Sequence, residues 1–349
     1  MSPTPDRAAR GAVLEALAAA ALFGAAAPLG KLLVYRLAPL QLAGLLYLGA
    51  ALAVLPVAWR RGGPMDGANR RRLAAAVLCG GIVAPVLLVL ALRIADAAAV
   101  SLLLTLEVAA TAALGALFFR DVLGRRGWVG IAGVLLASAT LAWSGGAPGL
   151  LTAALVGLAC LLWGLDNNLT ALIDALPPAR VTLIKGAVAG GCNLLLAALL
   201  MPEWPGLTDV AAALAIGALC YGLSLVLFIR AAQRLGAVRA QATFATAPFW
   251  GVALAAAVLG EALPIGAVGA MLLAGLSVFI LVRARHTHWH RHEPLEHEHS
   301  HRHDDGHHAH EHDGLPADTR HTHRHAHGAI AHAHPHLPDL HHRHAHEDR

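Results

Sequence analysis

Histidine is missing from everything that precedes His286 in this 349-residue chain, and charge is scarce, with Asp, Glu, Lys and Arg making up 14% of it. Without imidazole, that long histidine-free body lacks the usual general base and the zinc-hydrolase ligand set. Neither a glycine-rich phosphate loop of Walker spacing nor a serine-centred elbow is present, so ATP-driven transport and hydrolysis are disfavoured. No enzyme and no required cofactor are expected. Scarce charge beside 57% hydrophobic residues excludes an ordinary soluble globule and leaves lipid as the main solvent. The apolar runs do not alternate every second residue, which excludes a closed β-barrel. Cys79, Cys160, Cys192 and Cys220 all fall inside apolar runs without C-x-x-C spacing, so they read as small core residues and not as disulfides or metal ligands. The formal charge of +4 is scattered in short clusters instead of forming one stripe, and no nucleic-acid partner is expected. After the short basic start MSPTPDRAARG no convincing cleavage site follows, so the first apolar run reads as an anchor and not a signal peptide.

What is present is a series of ten apolar stretches near the ~20 residues a helix needs to cross a bilayer. They fall at roughly 12–31, 40–59, 73–92, 97–119, 128–143, 149–173, 181–201, 210–229, 237–259 and 264–282. These predict an all-α integral membrane protein with ten transmembrane helices. With the N-terminus in the cytoplasm, sixteen arginines fall on that side, among them Arg60, Arg61, Arg70, Arg71, Arg72, Arg120, Arg125 and Arg126. The other side holds only Lys31, Arg36 and Arg93, beside Glu203, Asp209 and Glu261. This positive-inside bias puts both termini in the cytoplasm. The expected organisation is a short N-terminus (1–10), a first five-span repeat (11–145), a second (146–285) and a cytoplasmic tail (286–349).

Five is odd, so two tandem five-span units must lie in the membrane with opposite orientation. Leu22-Phe23-Gly24 recurs as Leu162-Trp163-Gly164, and Asp121 after span four recurs as Glu261 after span nine, both at the same offset along the chain. With these landmarks the chain resembles the drug/metabolite transporter superfamily in its EamA-domain branch, over nearly all of residues 12–283. The marks are the small–aromatic–Gly elements ALFG (21–24) and LLWG (161–164), and a Leu-Glu-Pro-like element in spans four and nine. Span four reads Leu106-Glu107-Val108 and span nine Ala247-Pro248-Phe249, so one copy keeps the acid and the other the proline. Two glutamates cannot play a symmetric role. The strings WGLDNNLTALI (163–173), LIKGAVAGGCN (183–193) and YGLSLVLF (221–228) are similar to a subgroup of bacterial members that often end in a histidine-rich tail. The resemblance implies two inverted EamA-type repeats in a bacterial inner membrane. It also implies alternating access around a midplane site, a pathway lined mainly by spans three, four, eight and nine with one and six contributing, and a small-molecule substrate. A homodimer is left open.

Ionisable groups inside spans are costly and face the bundle interior, so each is a site candidate. Asp166, Asn167 and Asn168 form the densest cluster. Spans six and seven turn near Pro177-Pro178, and Asp166 and Lys185 lie almost equally far from that turn, hence at nearly equal depth. They can pair, either as a structural ion pair knitted by asparagines or as a substrate or proton site. Glu107, near mid-membrane with no partner visible in the sequence, is a candidate proton carrier; the plainer reading is a hydrogen-bonded structural acid. Tyr221, Trp163, Phe249 and Trp250 can line a pathway, although aromatics in apolar helices are more often packing. Lys31, Glu15 and Arg93 read as snorkelling anchors. Pro85 and Pro248 are expected to kink spans three and nine.

All 23 histidines lie between His286 and His346. His286, His288, His290, His292, His297, His299 and His301 recur in a second tandem copy as His321, His323, His325, His327, His332, His334 and His336. H-x-H-x-H places alternate imidazoles on one side of an extended chain, and flexible segments can fold them around an ion, Zn²⁺ or Ni²⁺ foremost. The composition predicts a free tail that is disordered, with divalent metal ions as its partners. The plainer reading is a solvated or pH-responsive tail. Two functions fit: a secondary carrier for a small organic solute with a metal-binding regulatory or buffering tail, or a Zn²⁺, Ni²⁺ or Co²⁺ exporter whose tail collects the ion. Spans without histidine favour the first. An anchor for a storage tail has no use for ten spans.

Overall fold

The computed structural model describes residues 5–58, 65–119, 124–144, 146–173, 176–201, 203–235, 243–262 and 265–283, and in the tail 286–292, 295–301, 321–327 and 330–336. The chain divides into two units, Met1–Ala284 and Arg285–Arg349.

In lipid every backbone N–H and C=O must be satisfied within the protein, which leaves helices as the spanning element for continuously apolar runs. Ten helical segments succeed one another among the described residues of the first unit. Span one is Pro5–Gly24 continued by Ala26–Lys31, span two Pro39–Ala58, span three Gly67–Ile94, span four Ala97–Phe118 and span five Arg125–Ser144. Span six is Gly146–Ala171, span seven Pro178–Leu200, span eight Leu207–Leu235, span nine Ala247–Leu259 and span ten Ile265–Arg283. By length and composition, seven helices among the described residues can cross a membrane, and two shorter apolar ones lie in spans nine and ten. The fold is an all-α membrane bundle of two five-helix repeats.

The repeat is visible in backbone irregularities. Span three contains a π-turn at Val77–Val83 and span eight one at Gly217–Leu223, the equivalent position of the second repeat. Span four is broken between Leu103 and Leu106, and span nine before Ala247. Such departures from α-geometry are rare and gather at functional sites. Pro85 follows the π-turn of span three inside the continuous helix Gly67–Ile94, and Pro248 sits in the first turn of the helix that restarts after the irregular turn of span nine, where a missing N–H costs little.

Glycines let the backbones cross closely. A Cβ on Gly24 would come within 2.2 Å of the Ala247 carbonyl in span nine, and one on Gly164 within 2.9 Å of the Thr111 amide in span four. The glycine of each small–aromatic–Gly element is therefore a crossing point between a span and the broken helix of the other repeat. Gly186 and Gly190, at G-x-x-x-G spacing, do the same against Tyr47 and Gly44 of span two.

In the tail four strands of equal length are described: β1 His286–His292, β2 Leu295–His301, β3 His321–His327 and β4 Ile330–His336. β1 pairs antiparallel with β4, setting His286, His288 and His290 opposite His336, His334 and His332. β2 pairs with β3, setting His297, His299 and His301 opposite His325, His323 and His321. The reason is the period of two: alternating H-x-H fits a pleated strand, and the tandem copies supply each strand with a matching partner.

Candidate functional site

The irregular turns surround the polar side chains of the bundle interior. The π-turn of span three shifts the helical ladder at Gly80-Gly81, and donors from two other spans take up the Gly80 carbonyl: the Tyr47 hydroxyl of span two, and the Trp163 indole Nε1 at 2.9 Å from span six. Asn193 of span seven is fully buried, with Nδ2 3.5 Å from the Gly81 carbonyl and 3.4 Å from that of Ile82. Gly80 is also the floor under Asp166, since a Cβ there would fall 1.9 Å from Asp166 Oδ2. Only glycine permits that approach.

Asp166 and Lys185 meet as their nearly equal depth suggested. Lys185 Nζ lies 2.6 Å from both carboxylate oxygens, and the Thr170 hydroxyl donates to Oδ1 at 3.0 Å. The Asp166 side chain is 4% exposed, so the pair is removed from solvent.

Glu107 has the partner that the sequence did not reveal. It opens the helix Leu106–Phe118 after the break in span four, where the positive end of the helix dipole favours a carboxylate. Asn167 Nδ2 donates to Glu107 Oε1 at 3.1 Å and lies 3.2 Å from the Thr111 hydroxyl. Asn167 is the chain neighbour of Asp166, so one stretch of span six serves both acids. Asn168 has a different task. Its Nδ2 donates to the Thr111 and Gly164 carbonyls at 3.0 and 2.8 Å, tying span six to span four.

Tyr221 lies in the π-turn of span eight, and its ring is 6.0 Å from Tyr47 and 5.7 Å from Phe23, which in turn is 5.2 Å from Phe244. Trp250 is 40% exposed, and Phe249 packs on Gly275. The polar group thus draws on spans two, three, four, six, seven and eight.

Sequence reasoning missed Tyr47, Thr111, Asn193 and the Gly80-Gly81 pair. Paired glycines within an apolar run carried a readable signal, because small residues mark close helix contacts. A lone tyrosine or threonine carried none.

At the Lys31 end of the bundle, charged side chains seal the gaps between spans instead of snorkelling outward. Lys31 Nζ donates to the Leu92 and Ala95 carbonyls at the end of span three, and the Arg93 guanidinium to those of Val34 and Leu37 at 2.8 and 2.9 Å. Across the repeats, the Glu261 carboxylate accepts from the Ala97 and Ala98 amides at 2.9 and 2.8 Å, and Arg36 faces Asp209 at 3.2 Å. A carboxylate at a helix start complements unpaired N–H groups.

Compared with known proteins, the chain matches the EamA-like transporter family twice, at residues 10–143 and 150–283. Among solved structures it is similar to a protein whose crystal structure superposes with a TM-score of 0.56 at 16% sequence identity, covering 78% of this chain and 97% of that one. At that identity the likeness concerns the fold alone. A search of curated proteins returned no match.

Proposed function

Because the chain belongs to the EamA-like transporter family, we propose that it is a secondary carrier of a small organic solute that works by alternating access. The site is the group Asp166, Lys185, Glu107 and Asn167, with Tyr47, Trp163 and Tyr221 around it. One observation carries this reading: the buried Asp166–Lys185 pair lies against the π-turn of span three at Gly80, and Glu107, which opens the helix after the break of span four, is held by Asn167, the chain neighbour of Asp166. Irregular backbone at membrane depth is tolerated beside protein or a cavity, and transporter sites are built there. The two repeats then rock about their glycine crossings, and the bonds of Lys31, Arg93 and Glu261 hold one end shut. Among the described residues no three His, Cys, Asp or Glu side chains stand together as a metal site, which supports an organic solute over a metal ion as cargo.

The tail is assigned a buffering or regulatory role. Histidines of one tandem copy stand opposite those of the other, which supports shared binding of Zn²⁺ or Ni²⁺ by both copies. The test is uptake of metabolites and metals in proteoliposomes holding the full chain or a form ending at Arg285. Truncation should leave saturated uptake of the organic solute intact while removing most bound zinc or nickel, measured by elemental analysis. Uptake of metal alone, lost on truncation, overturns the reading in favour of a metal exporter.

We place the chain in a bacterial inner membrane with both termini cytoplasmic, on the arginine distribution. A reporter fused after Gly146 should read periplasmic, and fusions after Gly67 and Arg285 cytoplasmic. A single reversed fusion refutes that topology.

A further inference from the structure

Spans four and nine, one from each repeat, close on each other at the Lys31 end of the bundle. A Cβ on Gly251 of span nine would lie 2.6 Å from Ser101 Oγ of span four, so the two helices are in direct contact there. Beyond that contact span nine ends at Leu259, and Gly260 takes the left-handed conformation, φ 68°, that stops the helix and turns the chain. The next residue, Glu261, reaches the start of span four, where its carboxylate accepts from the Ala97 and Ala98 amides at 2.9 and 2.8 Å.

A helix start carries N–H groups without an intrahelical acceptor, and the residue just before the helix ordinarily supplies one. Span four has such a residue. Asp96 stands at its N-cap position with the extended backbone, ψ 144°, of a capping aspartate. Yet Asp96 is exposed and its side chain makes no cap bond. At the start of span three the same residue type does cap, since Asp66 accepts from the Asn69 amide at 2.7 Å. The difference is Glu261, which already occupies the amides of span four.

Ala97 and Ala98 are 0 and 4% exposed, so if Glu261 withdrew with no substitute, two buried N–H groups would lose their partner. Asp96 removes that penalty, because from the N-cap its carboxylate reaches the amide of Ala98 or Ala99. The neighbouring bonds do not have to break. Lys31 holds the Leu92 and Ala95 carbonyls and Arg93 those of Val34 and Leu37, all within the first repeat, and they fix the corner that carries Asp96. Arg36 and Asp209 do link the two repeats, but with Arg36 67% exposed the pair is weak.

Resting on the carrier reading above, we infer that Asp96 and Glu261 are alternative caps of span four, and that their exchange switches this end of the bundle between shut and open. Glu261 caps from the second repeat in the shut form, and Asp96 caps from the chain's own turn in the open one. The start of span four is capped in both, so the seam with span nine parts without stranding its amides. The two forms therefore stay close in free energy, as a cycling carrier requires.

The test uses the full chain carrying Ser101→Cys, a reporter thiol at a position 1% exposed beneath span nine. Sealed vesicles of both orientations are treated with a membrane-impermeant maleimide, and labelling at residue 101 is read by peptide mass spectrometry with the native cysteines in place. From the side on which the Lys31 end lies, Asp96→Ala should slow labelling about five-fold, because the open form loses its cap. Asp96→Asn should keep the parent rate, since asparagine caps as well as aspartate. Glu261→Gln should speed labelling about ten-fold, because the shut form keeps only a neutral acceptor, and the double variant with Asp96→Ala should fall between. Unchanged or faster labelling in Asp96→Ala, or Asp96→Asn slowed as much as Asp96→Ala, overturns the exchange. The Asp96 variants decide the matter even where Glu261→Gln fails to reach the membrane. If labelling follows the expected order but no solute crosses in proteoliposomes, the cap exchange stands and the carrier reading falls. If solute is carried and Asp96→Ala alters neither uptake nor labelling, the carrier stands and the cap exchange falls.

Discussion

Asp166→Asn and Lys185→Met are each expected to abolish transport while the protein still reaches the membrane. Each change strands one charge of a pair whose carboxylate is 4% exposed, and breaking a buried pair by removing one partner costs about 3–5 kcal/mol. In lipid the stranded group is no cheaper. The Thr170 hydroxyl bond to Asp166 cannot replace an ammonium held by two oxygens at 2.6 Å. Uptake in proteoliposomes and abundance in the membrane should be measured for both single variants and for the double variant. Full transport by the double variant identifies the pair as structural and places the substrate elsewhere. Loss in all three supports its place in the site.

Gly80→Ala is expected to disable the same pair without touching either charge. The added methyl would lie 1.9 Å from Asp166 Oδ2, 2.4 Å from Cγ and 2.7 Å from Cβ, so Asp166 must swing away and release Lys185. Overpacking of this kind costs about 1–3 kcal/mol by itself, and separation of the ion pair adds to it. The expected result is transport near zero and a lower melting midpoint in detergent. Gly191→Ala is the control, because nothing lies within 4 Å of its added methyl. Wild-type transport by Gly80→Ala would show that the close contact between span three and Asp166 is dispensable.

Much of this arrangement could be read without coordinates. The hairpin of spans six and seven already brought Asp166 near Lys185, since depth in a helix hairpin is a linear count of residues and the two lie eleven residues before Pro177 and seven after Pro178, about one helical turn apart. Glu107 was legible as an intramembrane acid, but its link to Asn167 was not. That contact depends on how spans four and six rotate against each other, which Gly164 sets by packing on Thr111. Lys31 and Arg93 read as snorkelling anchors because sequence shows only that they lie near span ends. Their carbonyl partners belong to other segments, far off along the chain.

The sequence by itself determined the lipid solvent, the ten spans, the duplication and the division between a body without histidine and a tail rich in it. These are properties of composition and period, and the bilayer turns them into structure with few alternatives. Tertiary structure decided which polar groups meet. Matched π-turns in spans three and eight, Tyr47 over the Gly80 carbonyl and the neutral partner of Glu107 all arise from packing between distant helices. Such contacts turn on ångström-scale fits among residues that no local pattern relates.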